Sequence, residues 1–158
     1  MFRSMRRFRQ QMSEEDTKQI LRTEKRGVLA VLGDDDYPYA VPLDFIYDEE
    51  NNRICFHGAK EGHKIDALRR HPKASFCVYD TGYQEEGDWI YHVHSVIVFG
   101  TVHEIDSREE TIETARQIGL KYYPDAQSVE KEIEMAKDRV LCLALDIEHM
   151  TGKLVKES

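Results

Sequence analysis

The strongest constraint on the fold is the way short apolar runs follow one another with turns, rather than helices, between most of them. About six runs have strand character, and helix-like segments are inserted singly between them. A parallel α/β sheet would need regular alternation of strands and helices, which this pattern lacks. Closing an antiparallel sheet into a barrel also removes unpaired strand edges. We therefore predict a mainly β protein with peripheral helices, an antiparallel barrel in a single domain spanning residues 1–158.

The acidic charge balance limits the possible partners. The formal net charge is −8, whereas general nucleic-acid binding requires a basic surface. No apolar run approaches the ~20 residues that a membrane-spanning helix needs. The basic N-terminus is not followed by the apolar segment of a signal peptide. We expect a cytoplasmic protein that binds neither nucleic acid nor membrane.

Local patterns place the individual elements. Capping residues, acidic first turns and following prolines predict helices over 13–23, 61–70, 107–122 and 127–137. Apolar runs and alternation predict strands over 28–32, 39–47, 54–57, 74–79, 89–105 (bent near Gly100) and 140–147. Pro42 lies inside the second strand, where a residue without an N–H cannot donate to a ladder. Its position is therefore predicted to be an edge, a bulge or a ligand-facing site.

The segment ICFHGAKEGHKIDAL (residues 54–68) changes from a strand to an amphipathic helix across two glycines. Glycine lets the backbone approach a ligand closely, and the start of a helix favours a phosphate. Lys64 adds a positive charge beside those amides, so the segment can be read as a phosphate site. The alternative is an ordinary loop with a solvated lysine, and composition alone favours it. The spacing matches neither a Walker motif nor a dinucleotide fingerprint.

Five segments in order cover nearly the whole chain: MFRSMRRFRQ, GDDDYPYAVPLDFIY, FHGAKEGHKIDAL, SVIVFGTVHEI and IEHMTGK. Together they resemble the flavin-binding split-barrel proteins of the pyridoxamine 5′-phosphate oxidase-like superfamily. Within that superfamily, the chain is similar to the nitroimidazole-resistance (Nim) group. The resemblance implies an FMN-binding split barrel and a homodimer with two equivalent FMN sites at the subunit interface.

The resemblance also implies a set of cofactor-binding residues. Lys64 would be the main charged contact of the FMN phosphate. Other residues of the same loop would surround it, the backbone of one strand would run along the isoalloxazine ring, and the start of SVIVFG would approach the cofactor. In this sequence these positions are His57, Gly58, Ala59, Gly62 and His63, then Val41, Pro42 and Leu43, then Ser95 and Val96.

The chain departs from pyridoxamine phosphate oxidases proper at several positions. It has Gly62 where they commonly carry a serine and Ser95 where they carry a glutamine, and it lacks their C-terminal arginine pattern. Pyridoxamine phosphate is therefore not favoured as the substrate. The Nim resemblance instead implies an FMN-dependent oxidoreductase that reduces nitroaromatic compounds such as 5-nitroimidazoles, with FAD as another possible flavin. The alternative is a non-enzymatic flavin- or haem-binding dimer that acts as a carrier or sensor.

Histidines supply the remaining candidates. His57 or His94 would be a catalytic residue if it lay near the flavin ring and protonated a reduced substrate. His92 and His94 share one face of a strand, so with His57 or His103 they could chelate a metal. No acidic residue follows at a recognisable spacing to support such a site. We therefore favour histidines that face solvent or a polar dimer seam, and we predict no metal.

Overall fold

The structure is a computed structural model that describes residues 1–123 and 125–157, and one antiparallel sheet dominates it. Its strands are β1 (Arg26–Leu32), β2 (Pro38–Asp44), β3 (Ile46–Asp48), β4 (Arg53–Gly58), β5 (Lys73–Tyr79), β6 (Tyr83–Gln84), β7 (Tyr91–Glu104) and β8 (Leu141–Glu157). The strand order is β2-β1-β5-β7-β8-β4-β3, with β6 paired to β7. The two ends of this order, β2 and β3, are consecutive in the chain. The sheet thus curls into a split barrel, which confirms the predicted fold class.

The helices surround the sheet as predicted. They are α1 (Glu14–Thr23), α2 (His63–Arg70), α3 (Arg108–Tyr122) and α4 (Ala126–Ala136). Oxygens of the N-cap side chains of Ser13, Ser107 and Asp125 accept hydrogen bonds from first-turn amides of α1, α3 and α4, which satisfies donors that a helix start leaves unpaired. In the described part of the chain, no helix is long and apolar enough to cross a membrane.

Two strands differ from the prediction. The last strand continues past Ile147 as far as Glu157, and its second half pairs with β7 beyond a bulge at Phe99 and Gly100. The side chains of this half are largely polar, so the pattern of apolar runs did not predict it as a strand. The predicted strand over 39–47 is broken at Phe45, so that β2 pairs with β1 and β3 pairs with β4.

The C-terminal end of α3 satisfies the backbone at the break. The N–H of Phe45 donates to Tyr122 Oη at 2.9 Å, and its carbonyl accepts from Lys121 Nζ at 3.0 Å. The Lys121 ammonium also lies 3.8 Å from the centre of the Phe45 ring. Burial lowers the pKa of Lys121 to about 8. Helix α3 therefore replaces the missing ladder bonds where the barrel closes.

Gly100 is required where β7 bends against β8. A Cβ there would lie 2.1 Å from the carbonyl oxygen of Asp146, and backbone at that spot cannot yield easily. We expect Gly100→Ala to lower the free energy of unfolding by about 3 kcal/mol, measured by urea denaturation. The control is Thr101→Ala, the adjacent residue, whose hydroxyl makes one exposed hydrogen bond to Glu148 and should cost under ~1 kcal/mol. Equal losses in the two variants would contradict the steric explanation.

Candidate functional site

The candidate binding site is built where β4 ends and α2 begins, and we call residues 58–64 the phosphate loop. Gly62 is the N-cap of α2 and has a φ of +131°, a conformation that residues with a Cβ rarely adopt. It provides no side chain to cap the helix. The first N–H groups of α2 are therefore open to an anion, and the helix dipole favours negative charge there.

Lys64 is the cation of this loop. Its Nζ lies 3.4 Å from the position that a Cβ would occupy at Gly58, so the bare backbone of β4 lets the ammonium approach. The side chain is half-buried, and burial lowers the pKa of Lys64. In residues 1–123 and 125–157, no carboxylate forms an ion pair with it. A half-buried cation without an internal counter-ion is costly, and an external phosphate would offset that cost.

Strand β2 provides the wall next to the loop. Pro42, Leu43, Asp44, His57 and Arg26 line a cavity of about 320 Å³. Pro42 is exposed, and β2 stands at one end of the strand order. Of the three alternatives predicted for the proline, an edge, a bulge or a ligand-facing site, the edge is confirmed. The side chains of Val41 and Leu43 pack against the core. These two residues can therefore offer a ligand mainly their backbone.

His57 faces this cavity from β4. Loss of hydration lowers its pKa, the nearby Lys64 ammonium lowers it further, and Asp44 opposes both effects. We expect an NMR titration to find the pKa of this imidazole below its ordinary value of 6.5. Lys64→Met should raise the pKa of His57, because it removes the adjacent positive charge. The control is Lys60→Met, which changes a lysine of the same loop and should leave the pKa of His57 unchanged. A rise of equal size in both variants would contradict this assignment.

The side chain of His63 is held by a neighbouring turn. Its Nε2 accepts a hydrogen bond from the N–H of Asp34 at 3.3 Å, and its ring stacks on Tyr39 with centroids 4.1 Å apart. The side chain is thus committed to the β1–β2 turn. Only the backbone N–H of His63 is left for a ligand of the phosphate loop.

Sequence reasoning missed three residues of this region. Arg26 pairs with Asp44 at 3.0 Å beside His57, and only the β1–β2 register could have brought these two residues together. Lys60 donates to the carbonyl of Asp138 at 2.9 Å. That bond ties the loop, including the exposed Ala59, to the chain segment after α4.

The other predicted residues lie elsewhere in the protomer. The cross-strand partner of His57 is Cys142, and that of His94 is Leu154. These partners are 12 positions apart on β8, roughly 40 Å of strand at ~3.3 Å per residue. One protomer therefore does not bring His57 and His94 together. Ser95 alternates onto the outer face of β7, and the Val96 side chain is fully buried in the core.

The histidine pair of β7 is engaged with neighbouring side chains. His92 and His94 do share a face of the strand, and His92 is buried against the ring of Tyr83 with centroids 4.6 Å apart. His94 binds Asp80 through Nδ1 at 2.6 Å. Within residues 1–123 and 125–157, no three His, Cys, Asp or Glu side chains are grouped so as to hold a metal ion.

Known proteins are similar to this chain in family and in fold. The family model for pyridoxamine 5′-phosphate oxidase matches residues 13–154. No curated protein matches the sequence. A candidate 5-nitroimidazole antibiotic resistance protein from Bacteroides thetaiotaomicron has a similar structure, with 20% identity over 92% of this chain and 87% of that chain, at a TM-score of 0.77.

Two further structures show the same fold. An FAD-binding protein from Mesorhizobium loti has 22% identity over 94% of this chain and 96% of its own, at a TM-score of 0.63. The FAD and haem binding protein from Mycobacterium smegmatis has 21% identity over 92% of this chain and 73% of its own, at a TM-score of 0.72. At these identities the likeness establishes the fold alone.

Proposed function

Because the chain belongs to the pyridoxamine 5′-phosphate oxidase family, we propose that it is an FMN-dependent oxidoreductase. The observation that carries this proposal is Lys64, a half-buried ammonium without an internal carboxylate partner in the described residues, next to the uncapped start of α2. A bound flavin would supply the redox chemistry, and the protein would bind and orient it.

The charges around the loop favour a single phosphate group. Lys60 donates to the Asp138 carbonyl, and Arg70 pairs with Asp34 at 2.6 Å. Lys64 is the lysine of the loop whose ammonium has no hydrogen bond to another described residue. One such cation together with helix amides suits the monophosphate of FMN better than the diphosphate of FAD.

The residues beside the loop would hold the ring. The backbone of residues 41–43 lies on an edge strand, so its free side can exchange hydrogen bonds with the polar edge of a flavin. Pro42 lacks an N–H and presents an apolar ring, which suits contact with the flat face of a flavin. The lowered pKa of His57 keeps its imidazole neutral at pH 7. In that form it can donate a hydrogen bond to a reacting oxygen and exchange its proton with water.

We propose a nitroaromatic compound, such as a 5-nitroimidazole, as the substrate. Support comes from the structural similarity to the candidate resistance protein of Bacteroides thetaiotaomicron. In the first step the nitro group takes up two electrons and two protons, loses water and becomes a nitroso group. Transferring the electrons as a pair avoids the nitro radical anion.

The activity test uses FMN-loaded protein under anaerobic conditions. With NAD(P)H or dithionite as the reductant, the protein should consume a 5-nitroimidazole faster than free FMN does. Electron paramagnetic resonance should detect no accumulating nitro radical. Bound FMN without nitro reduction by either reductant would replace this proposal with the alternative, a non-enzymatic flavin carrier or sensor.

The outer face of the sheet supports a homodimer. The strand register places Pro42, Val28, Cys77, Ile97 and Thr151 in one row across five strands. Ile97 is 43% exposed on this face. We propose that a second copy of the chain covers this row, because the row begins at the Pro42 wall and would bring the partner to the flavin.

Light scattering after size exclusion tests the dimer. The parent should have twice the mass of the chain, and Ile97→Glu should shift it towards the monomer and weaken flavin binding. The control is Leu120→Glu, at an apolar residue of α3 that is 37% exposed. A monomeric parent protein would overturn the proposed dimer.

A further inference from the structure

We propose that a second cavity binds a small hydroxy acid, that is, a carboxylate and a hydroxyl group carried on an apolar body. The cavity has a volume of about 520 Å³, which is in the range of small-molecule sites. Its principal lining residues are Arg9, Met12, Ile20, His94, Leu154 and Lys156. It shares no lining residue with the cavity at His57.

Asp80 fixes the orientation of His94 in this cavity. Asp80 Oδ1 accepts hydrogen bonds from the backbone N–H groups of Gly82 and His94, both at 3.0 Å. Its Oδ2 lies 2.6 Å from His94 Nδ1. Three hydrogen bonds fix the position of the Asp80 carboxylate. The carboxylate in turn holds the imidazole ring of His94 in one orientation.

This arrangement selects the tautomer of His94. Nδ1 carries a proton because it faces the carboxylate, so in the neutral ring Nε2 is an acceptor. No residue in 1–123 or 125–157 forms a hydrogen bond with Nε2. The side-chain oxygen of Gln10, which also lines the cavity, is buried without a hydrogen-bond partner. Two acceptors thus call for a ligand with an O–H donor.

Two cations provide the site for a carboxylate. Arg9 and Lys156 line the cavity, and neither forms an ion pair within the described residues. Asp16 also lines the cavity, where it accepts a hydrogen bond from the Ser13 hydroxyl at 2.7 Å, so these cations outnumber the carboxylate by two to one. Since the whole chain carries a net charge of −8, an excess of cations over carboxylates at one cavity stands out as an anion site.

An apolar wall completes the cavity. Met12, Ile20 and Leu154 come from the N-terminal segment, α1 and β8. The Met12 N–H donates to the Gly152 carbonyl at 2.9 Å, and Gln11 forms a β-bridge with Lys153. The N-terminal segment is therefore tied to the barrel and forms a fixed wall for the apolar body of a ligand.

The test uses mandelate, which carries a carboxylate, a hydroxyl and a phenyl group. We expect saturable NMR shifts of the His94 imidazole. Phenylacetate, which lacks the hydroxyl, should bind about tenfold more weakly, and so should methyl mandelate, which lacks the charge. The double variant Arg9→Gln/Lys156→Gln removes two exposed cations, so it should fold, and it should lose at least tenfold in mandelate affinity.

The control variant is Lys131→Gln, which removes an exposed cation of α4 and should leave mandelate binding unchanged. Lys64→Met should also leave it unchanged, since the proposal does not depend on FMN. No saturable shift at His94 would overturn the proposal. The same holds if the double variant binds mandelate as the parent does, or if methyl mandelate binds as well as mandelate.

Discussion

Lys64→Met should weaken FMN binding by roughly a hundredfold, equivalent to about 3 kcal/mol from lost charge-assisted hydrogen bonds. The physical reason is that the half-buried ammonium of Lys64 has no other counter-ion in the described residues. Riboflavin lacks the phosphate, so its affinity should be nearly the same for the parent and the variant. Fluorescence titration of both ligands measures the difference directly.

The matched control is Lys60→Met, since Lys60 lies in the same loop but donates to the Asp138 carbonyl. It should lower FMN affinity by less than about threefold. Equal losses for FMN and riboflavin in Lys64→Met would show that the lysine supports the loop rather than the phosphate. In addition, FMN affinity should fall as the pH rises through the lowered pKa of Lys64, because only the ammonium form attracts the phosphate.

Phe76→Ala should lower the free energy of unfolding by about 4 kcal/mol, the typical cost of an aromatic cavity in a core. Phe76 is fully buried between Phe45 and Phe56, with both ring centroids 5.0 Å away in edge-to-face contacts. These rings join β5 to β4 and to the break between β2 and β3. Removing the Phe76 ring therefore weakens the packing at the point where the barrel closes.

The control is Phe8→Ala, the same substitution at a side chain that is 69% exposed. It should change the free energy of unfolding by less than about 0.5 kcal/mol. Urea denaturation measures both variants. A loss below about 1.5 kcal/mol for Phe76→Ala would contradict the central role of this ring cluster.

The sequence predicted those parts of the fold that local chemistry determines. Ser13 and Ser107 could be identified as N-caps because the following turns are acidic, and Gly100 marked the bend of β7. The second half of β8 was missed because its side chains are largely polar. Its pairing with β7 is a long-range interaction, which no window of local sequence contains.

The residues of the candidate site differ in the same way. Gly58, Gly62 and Lys64 are close in sequence, so their local pattern allowed a phosphate site as well as an ordinary loop, and the family resemblance favoured the phosphate site. The side chain of His63 turns instead to Asp34 and Tyr39, partners that only the folded β1–β2 turn supplies. The Asp80–His94 pair could not be predicted either, because only the pairing of β7 brings Asp80, a residue of the loop after β5, to the histidine.

The most direct test of the proposed flavin site is an absorbance spectrum of the purified protein, with the released cofactor identified by mass. We expect flavin bands, with a maximum at ~450 nm, and the mass of FMN. A single sharp band near ~400 nm would instead indicate haem. A colourless protein that also takes up no added FMN would contradict the proposed flavin site at Lys64.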